Sequence, residues 1–226
     1  MTSRLLSKRL LLVAAFFVGM ANQPATANTT PARGAPCRQI VLVLDPQLSR
    51  SAVDRAWASG EPRDENPAAL ELRRCDGSVV DRLVLDAPLA RLDPRPLRGA
   101  PVHSVLVTVD LTAPAGSTSG PLTDVIELRG DHLQRAQAMP LEGAVIDIRL
   151  PATGKAAWQR TIRGRRDELL ALSCSPLAGG FVTRWRRFVT TPTGWRVFER
   201  EAPGLWESDQ PFPPAKAFPK VKADGR

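Results

Sequence analysis

The chain predicts an all-β protein, an antiparallel β-sandwich or barrel of about nine or ten strands. Three observations carry that expectation. Short runs rich in Val, Ile and Leu recur along the chain and are separated by Gly, Pro and Asp. Two-residue turn signals, Asp76-Gly77 and Gly130-Asp131, stand between such runs. Helical spacing is confined to residues 49–58, where Ser49 or Ser51 caps one short helix and Val53, Ala56 and Trp57 share a side.

In chain order, residues 37–45 form a continuous β-branched run ended by Pro46, the pattern of a buried strand. Residues 69–75 and 78–85 flank Asp76-Gly77 as a type I′ hairpin, whose register sets Leu70 against Leu83 and Glu71 against Arg82. Proline-rich residues 87–101 read as a crossing connection within one fold, because too little chain precedes them to bury a core of its own. Residues 102–111 form a strand with Val105, Val107 and Val109 on one face. Residues 122–129 and 132–139 flank Gly130-Asp131, where glycine at the first turn position suits type II′. Residues 144–150, 157–162 and 168–175 supply further strands. Residues 181–190 and 195–201 flank Thr191-Pro192-Thr193-Gly194, read as a type I turn with a glycine bulge. That register pairs Val189 with Val197, Phe188 with Phe198 and Arg187 with Glu199; a bulge-free turn sets Arg186 against Glu199 instead. No fixed period marks a propeller or solenoid.

Residues 1–27 read as a cleaved secretory signal peptide. Arg4, Lys8 and Arg9 precede an apolar run over residues 10–18, Pro24 breaks any helix, and Ala25-Thr26-Ala27 offers the small-x-small cleavage pattern before Asn28. The run falls short of the ~20 residues a spanning helix needs, and no later stretch reaches that length, so no membrane span is expected after signal removal. The expected organisation is a single antiparallel β domain over residues 28–210 and a Pro/Lys-rich extended or disordered tail over residues 211–226, in a periplasmic or secreted protein.

The net charge of +8 suggests nucleic acid at first sight. Three of those charges belong to the signal and a net three to the tail, which leaves about +2 for residues 28–210. A body so close to neutral presents no nucleic-acid face. Tyrosine is absent, so any stacking platform must use the five tryptophans or the phenylalanines.

Three cysteines in an oxidising compartment imply one disulfide, expected as Cys37–Cys75 and contributing about 3 kcal/mol. Cys174 alternates with Leu170 and Leu172 and reads as a small buried core residue. His103 and His132 lie too far apart, without a Cys-x-x-Cys or His-x-x-x-His pair, to suggest a metal, and no cofactor is expected. Residues 116–120, Gly116, Ser117, Thr118, Ser119 and Gly120, form a permissive loop and the best candidate for a binding loop; it lacks the lysine and helix of a phosphate cradle. Trp185, Arg187, Trp195 and Arg196, with Trp206 beyond, form a candidate aromatic and basic surface for a glycan or an anionic partner. Cross-strand packing, with arginine stems covering the rings, is the favoured account of the same residues. Arg129-Gly130-Asp131 matches an adhesion tripeptide at a hairpin tip. Asp110, Asp124, Glu127 and Asp147 sit in or beside strands without a recognisable glycosidase motif.

The leading expectation is therefore an exported β domain with a non-enzymatic binding or structural role, its partner an envelope component or another protein. The alternatives are a carboxylate-dependent envelope hydrolase and a β-barrel carrier of a small apolar ligand.

Overall fold

The apolar runs close into three stacked sheets, and the number of faces each run must bury decides where it goes. The computed structural model describes residues 26–28, 37–45, 67–110 and 119–221. The expected helix over 49–58 and loop residues Gly116, Ser117 and Thr118 lie outside the described residues. Strands β1 (Thr26–Asn28), β2 (Arg38–Val43), β3 (Ala69–Arg74) and β4 (Val79–Val84) pair antiparallel, in that order, as the first sheet. Strands β5 (Ala90–Asp93), β6 (Ser104–Asp110), β7 (Pro121–Arg129) and β8 (His132–Arg135) build most of the second. The chain then crosses to the third sheet for β9 (Gln137–Met139) and β10 (Ile146–Asp147), and returns for β11 (Arg149–Pro151) beside β7. Strands β12 (Ala156–Arg163), β13 (Arg166–Leu177), β14 (Gly180–Thr191) and β15 (Gly194–Pro203) complete the third sheet, in the order β10-β9-β15-β14-β13-β12.

The second sheet lies in the middle. Ile40, Leu42, Leu70 and Leu72 of the first sheet pack with Val105, Val107, Val109 and Ile126 of the second. On the opposite face, Leu106 and Val125 pack with Leu169, Phe188, Trp195 and Val197 of the third. Val105, Val107 and Val109 thus share one face as expected, while Leu106 is buried on the other, so β6 is covered on both sides. The result is a sandwich of open sheets with filled interfaces, rather than a closed barrel.

Two of the turns depart from their expected forms. At the first hairpin, the Gly77 N–H donates to the Arg74 carbonyl and the Arg74 N–H to the Ser78 carbonyl, both at 2.9 Å. Gly77 sits at φ 84° and no non-glycine residue has a positive φ among the described residues, so this is a type I turn with a glycine bulge. Type I′ needs positive φ at Asp76 as well, and the Asp76 carboxylate instead accepts the Ser78 N–H at 2.9 Å. The expected register survives, with Leu70 opposite Leu83 and Glu71 opposite Arg82, because an irregularity between Leu72 and Arg73 absorbs the extra residue. At the last hairpin the expected bulge is absent. Thr191 pairs with Gly194, which sets Val189 against Arg196, Phe188 against Val197, Arg187 against Phe198 and Arg186 against Glu199. The Thr191 hydroxyl donates to the Gly194 carbonyl at 2.9 Å and closes the two-residue loop without a left-handed residue inside it. Gly130, at φ 61° between paired Arg129 and His132, matches the expected type II′ turn.

Two expected strands are each split between sheets. Residues 132–139 divide at fully buried Ala136, whose N–H donates to the Val125 carbonyl at 2.7 Å. Residues 144–150 divide at Ile148, whose N–H donates to the Ala136 carbonyl at 3.0 Å, so one contact ties the two crossings together. The connection over 87–101 carries β5 as it crosses. The disulfide joins Cys37 to Cys75, with Cα atoms 5.5 Å apart, one position beyond the Arg38–Arg74 pair of β2 and β3. Ala27 and Asn28, the residues of the expected cleavage point, lie in β1, paired with Ile40 and Gln39; Ala25 lies outside the described residues.

Candidate functional site

The outer face of the third sheet is covered by the chain's own end. β13 and β14 are long enough to present Leu170, Leu172 and Trp185 outward, and such a face needs a cover. Residues 204–221 supply it. Trp206 and Phe218 are buried against Leu170 and Leu172, Phe212 stacks on Phe218 at 5.5 Å, and Trp185 meets Phe218 edge-on at 5.2 Å. Arginines fix the backbone of this strap. Arg187 donates to the carbonyls of Ala215 at 2.6 Å and Pro219 at 2.7 Å, and Arg200 donates to that of Ala217 at 2.6 Å while lying 4.7 Å from the Trp185 ring centre. Residues 204–221 carry one 3-10 turn at Ala215–Ala217, and these carbonyl contacts tie that stretch to the sheet.

Beside the start of the strap runs an open groove of about 690 Å³. Ser119 and Gly120, from the candidate binding loop, form part of its wall with Thr153, Gly154, Trp158 and Gln159, and the strap adds Trp206, Ser208, Gln210 and Phe212. Gly120 is needed there: a Cβ would collide with the carbonyl oxygen of Ala152, where the chain closes against β11. No ionisable side chain lines this groove among the described residues. Trp206 is 7 % exposed, and its indole N–H has no acceptor among the described residues.

The candidate aromatic and basic surface does not form one face. Trp185, Arg187 and Arg196 stand on the strap side of the third sheet, whereas Trp195 points the other way into the core and donates to Glu127 at 3.1 Å. Arg187 is itself buried and pairs with Glu168 at 2.6 Å. Much of this cluster is therefore packing, as the favoured account has it. Cys174 departs from its expected place in the core. It is half-buried below the strap, where its sulfur lies 2.9 Å from the Thr183 hydroxyl and accepts the Trp206 N–H at 3.2 Å.

Asp124, Glu127 and Asp167 are engaged by arginine. Asp124 is held by Arg135 at 3.0 Å and Arg149 at 3.4 Å on the first-sheet side of β7. Glu127, three residues on, faces the opposite side and is held by Arg129 at 2.8 Å. Two carboxylates on opposite faces of one strand cannot flank a single glycosidic bond. Asp110 ends β6, and Asp147 accepts from Gln137 on the surface. Asp167, fully buried, takes two hydrogen bonds from the Arg98 side chain and one from Arg160. Burial pushes its carboxyl up, and the hydrogen bonds from Arg160 and Arg98 outweigh that and hold it below the ordinary carboxylate range. That direction is opposite to what a general acid needs. His103 ends a connection just before β6, and burial lowers its pKa. Both ends of the Arg129-Gly130-Asp131 tripeptide are occupied, by Glu127 and by Arg38.

Among the described residues, no group of three His, Cys, Asp or Glu side chains is placed to hold a metal ion, and no helix is long and apolar enough to cross a membrane. Sequence reasoning found Ser119 and Gly120 but missed Trp158, Gln159 and Phe212, which reach the same groove from an edge strand and from the strap. No known protein family, curated protein or solved structure matches the chain.

Proposed function

We propose that this protein is exported, loses residues 1–27, and serves outside the cytoplasm as a non-enzymatic binding domain for a neutral, polyhydroxylated envelope component such as a glycan strand. One observation carries the reading: the groove beside the strap combines aromatic side chains and small polar groups, and no charge. Aromatic faces meet the apolar faces of sugar rings, and hydroxyl and amide groups replace their water. The disulfide is consistent with an oxidising location. The arginine-bound acids favour binding over hydrolysis, since each is already neutralised within the fold.

Tryptophan fluorescence and calorimetric titration of the exported chain with neutral cell-wall oligosaccharides test this. Saturable binding without cleavage of the oligosaccharide is expected, with affinity falling about tenfold in Trp158→Ala. Absence of binding to every neutral oligosaccharide would overturn it, and turnover would move the protein to the enzymes. N-terminal sequencing of the exported chain is expected to begin at Asn28.

A further inference from the structure

We propose a second binding site, at the far end of the strap, that takes a phosphate group, either free or as the headgroup of an anionic phospholipid. The observation behind it is a groove of about 400 Å³ whose lining holds Arg163, Arg166 and Arg196 together with Asp167 and Glu168, over a floor that includes Phe198 and Val189. Arg163 and Arg166 are direct cross-strand partners at the β12–β13 turn, so their side chains share a face. Like charges placed opposite each other destabilise a hairpin. The turn itself requires only Gly164, at φ 61°, yet the tip reads Arg163-Gly164-Arg165-Arg166.

One carboxylate in the groove offsets only part of this repulsion: Glu168 accepts from Arg187 at 2.6 Å and from Arg163 at 3.4 Å, so a single acid is shared between two arginines. Asp167 points to the other side of the sheet, into its own arginine pair. Arg166 is held ready. Gly99, at φ 76°, brings the crossing connection so close that a Cβ there would lie 2.5 Å from the Arg166 Cγ, and the Arg166 guanidinium donates to the Thr190 carbonyl at 3.3 Å. Phe198 and Val189 are buried, so charges above them interact through a poorly screening medium. Guanidinium forks match phosphate oxygens, and several of them converging on one pocket suit a compact phosphate group better than an extended acidic peptide.

The test uses the exported full chain with three probes: inorganic phosphate, pyrophosphate, and vesicles of phosphatidylglycerol compared with phosphatidylcholine. A saturable rise in Tm that weakens with added salt is expected from the soluble probes, and selective sedimentation with phosphatidylglycerol vesicles from the third. Binding of all three supports recognition of phosphate itself; binding of the vesicles alone supports a lipid source. Arg166→Glu is the decisive variant, because it converts the Arg163 repulsion into attraction. It is expected to raise the Tm of the unliganded protein while weakening phosphate or vesicle binding tenfold or more. No response to any probe, or undiminished binding in Arg166→Glu, would overturn the proposal. Neither result bears on the uncharged groove, whose oligosaccharide titration stands or falls separately.

Discussion

The first and third sheets cover the same middle sheet with different materials. The first contributes aliphatic side chains, Ile40, Leu42, Leu70 and Leu72, and is clipped at its end by the Cys37–Cys75 bridge. The third contributes Phe188, Trp195 and Val197 inward, and outward a face of leucine, tryptophan and arginine that needs a strap. Aliphatic alternation makes a closed wall. Large planar groups tied to carbonyls leave clefts where the covering segment begins and ends, and both grooves described above lie at those two places. The closed wall and the grooved wall thus differ by side-chain chemistry more than by position in the chain.

The largest disruption of this contrast is expected from Glu168→Ala. It leaves the Arg187 guanidinium buried beside two strap carbonyls with no counter-charge, a loss of about 3–5 kcal/mol in denaturant unfolding. Replacing Cys37 and Cys75 by serine strikes the other side. Loss of about 3 kcal/mol is expected, with the strap contacts intact as judged by tryptophan emission. Acid probes the junction of the second and third sheets. Because the folded Asp167 carboxyl titrates below its unfolded value, the stability it contributes is present above about pH 4 and is lost as pH falls through the folded value. Asp93, lowered by its hydrogen bond from Arg95, acts in the same direction. Thermal melts of Asp167→Asn are expected to show a shallower acid limb than the parent. The smallest effect is expected from Arg184→Ala, which removes an exposed pair with Glu201 and costs less than about 1 kcal/mol.

How much of this the sequence foretold depends on the range of the determinant. The fold class, the Leu70–Leu83 register and the Gly130 turn follow from local pattern and hold in the structure. The disulfide also holds, although it rested on elimination among three cysteines. The turn at Asp76 went otherwise because a side chain captured a backbone N–H, and the turn at Pro192 because a threonine hydroxyl closed it. Both signals are short-ranged and were present in the residues. The break at Ala136 was visible too, since buried Leu133 and buried Ala136 violate strict alternation. The break at Ile148 left no such trace, because Ile148 and Leu150 keep parity across it. The grooves were not legible. Gln159 and Phe212 meet only through the return of the strap, and the Arg163–Arg166 opposition appears only once the hairpin register is known.

The parallel pairing of β9 with β15 has a consequence for the order in which the chain can fold. Ala138 lies beside Trp195 and Met139 beside Arg196, so the third sheet cannot close until almost the whole chain is available. Until then the cluster around Leu106 and Val125 on the middle sheet lacks Trp195 and Val197. Pairings between residues so distant in sequence form late and slowly. A polypeptide emerging from the ribosome therefore stays incomplete until its last long strand arrives.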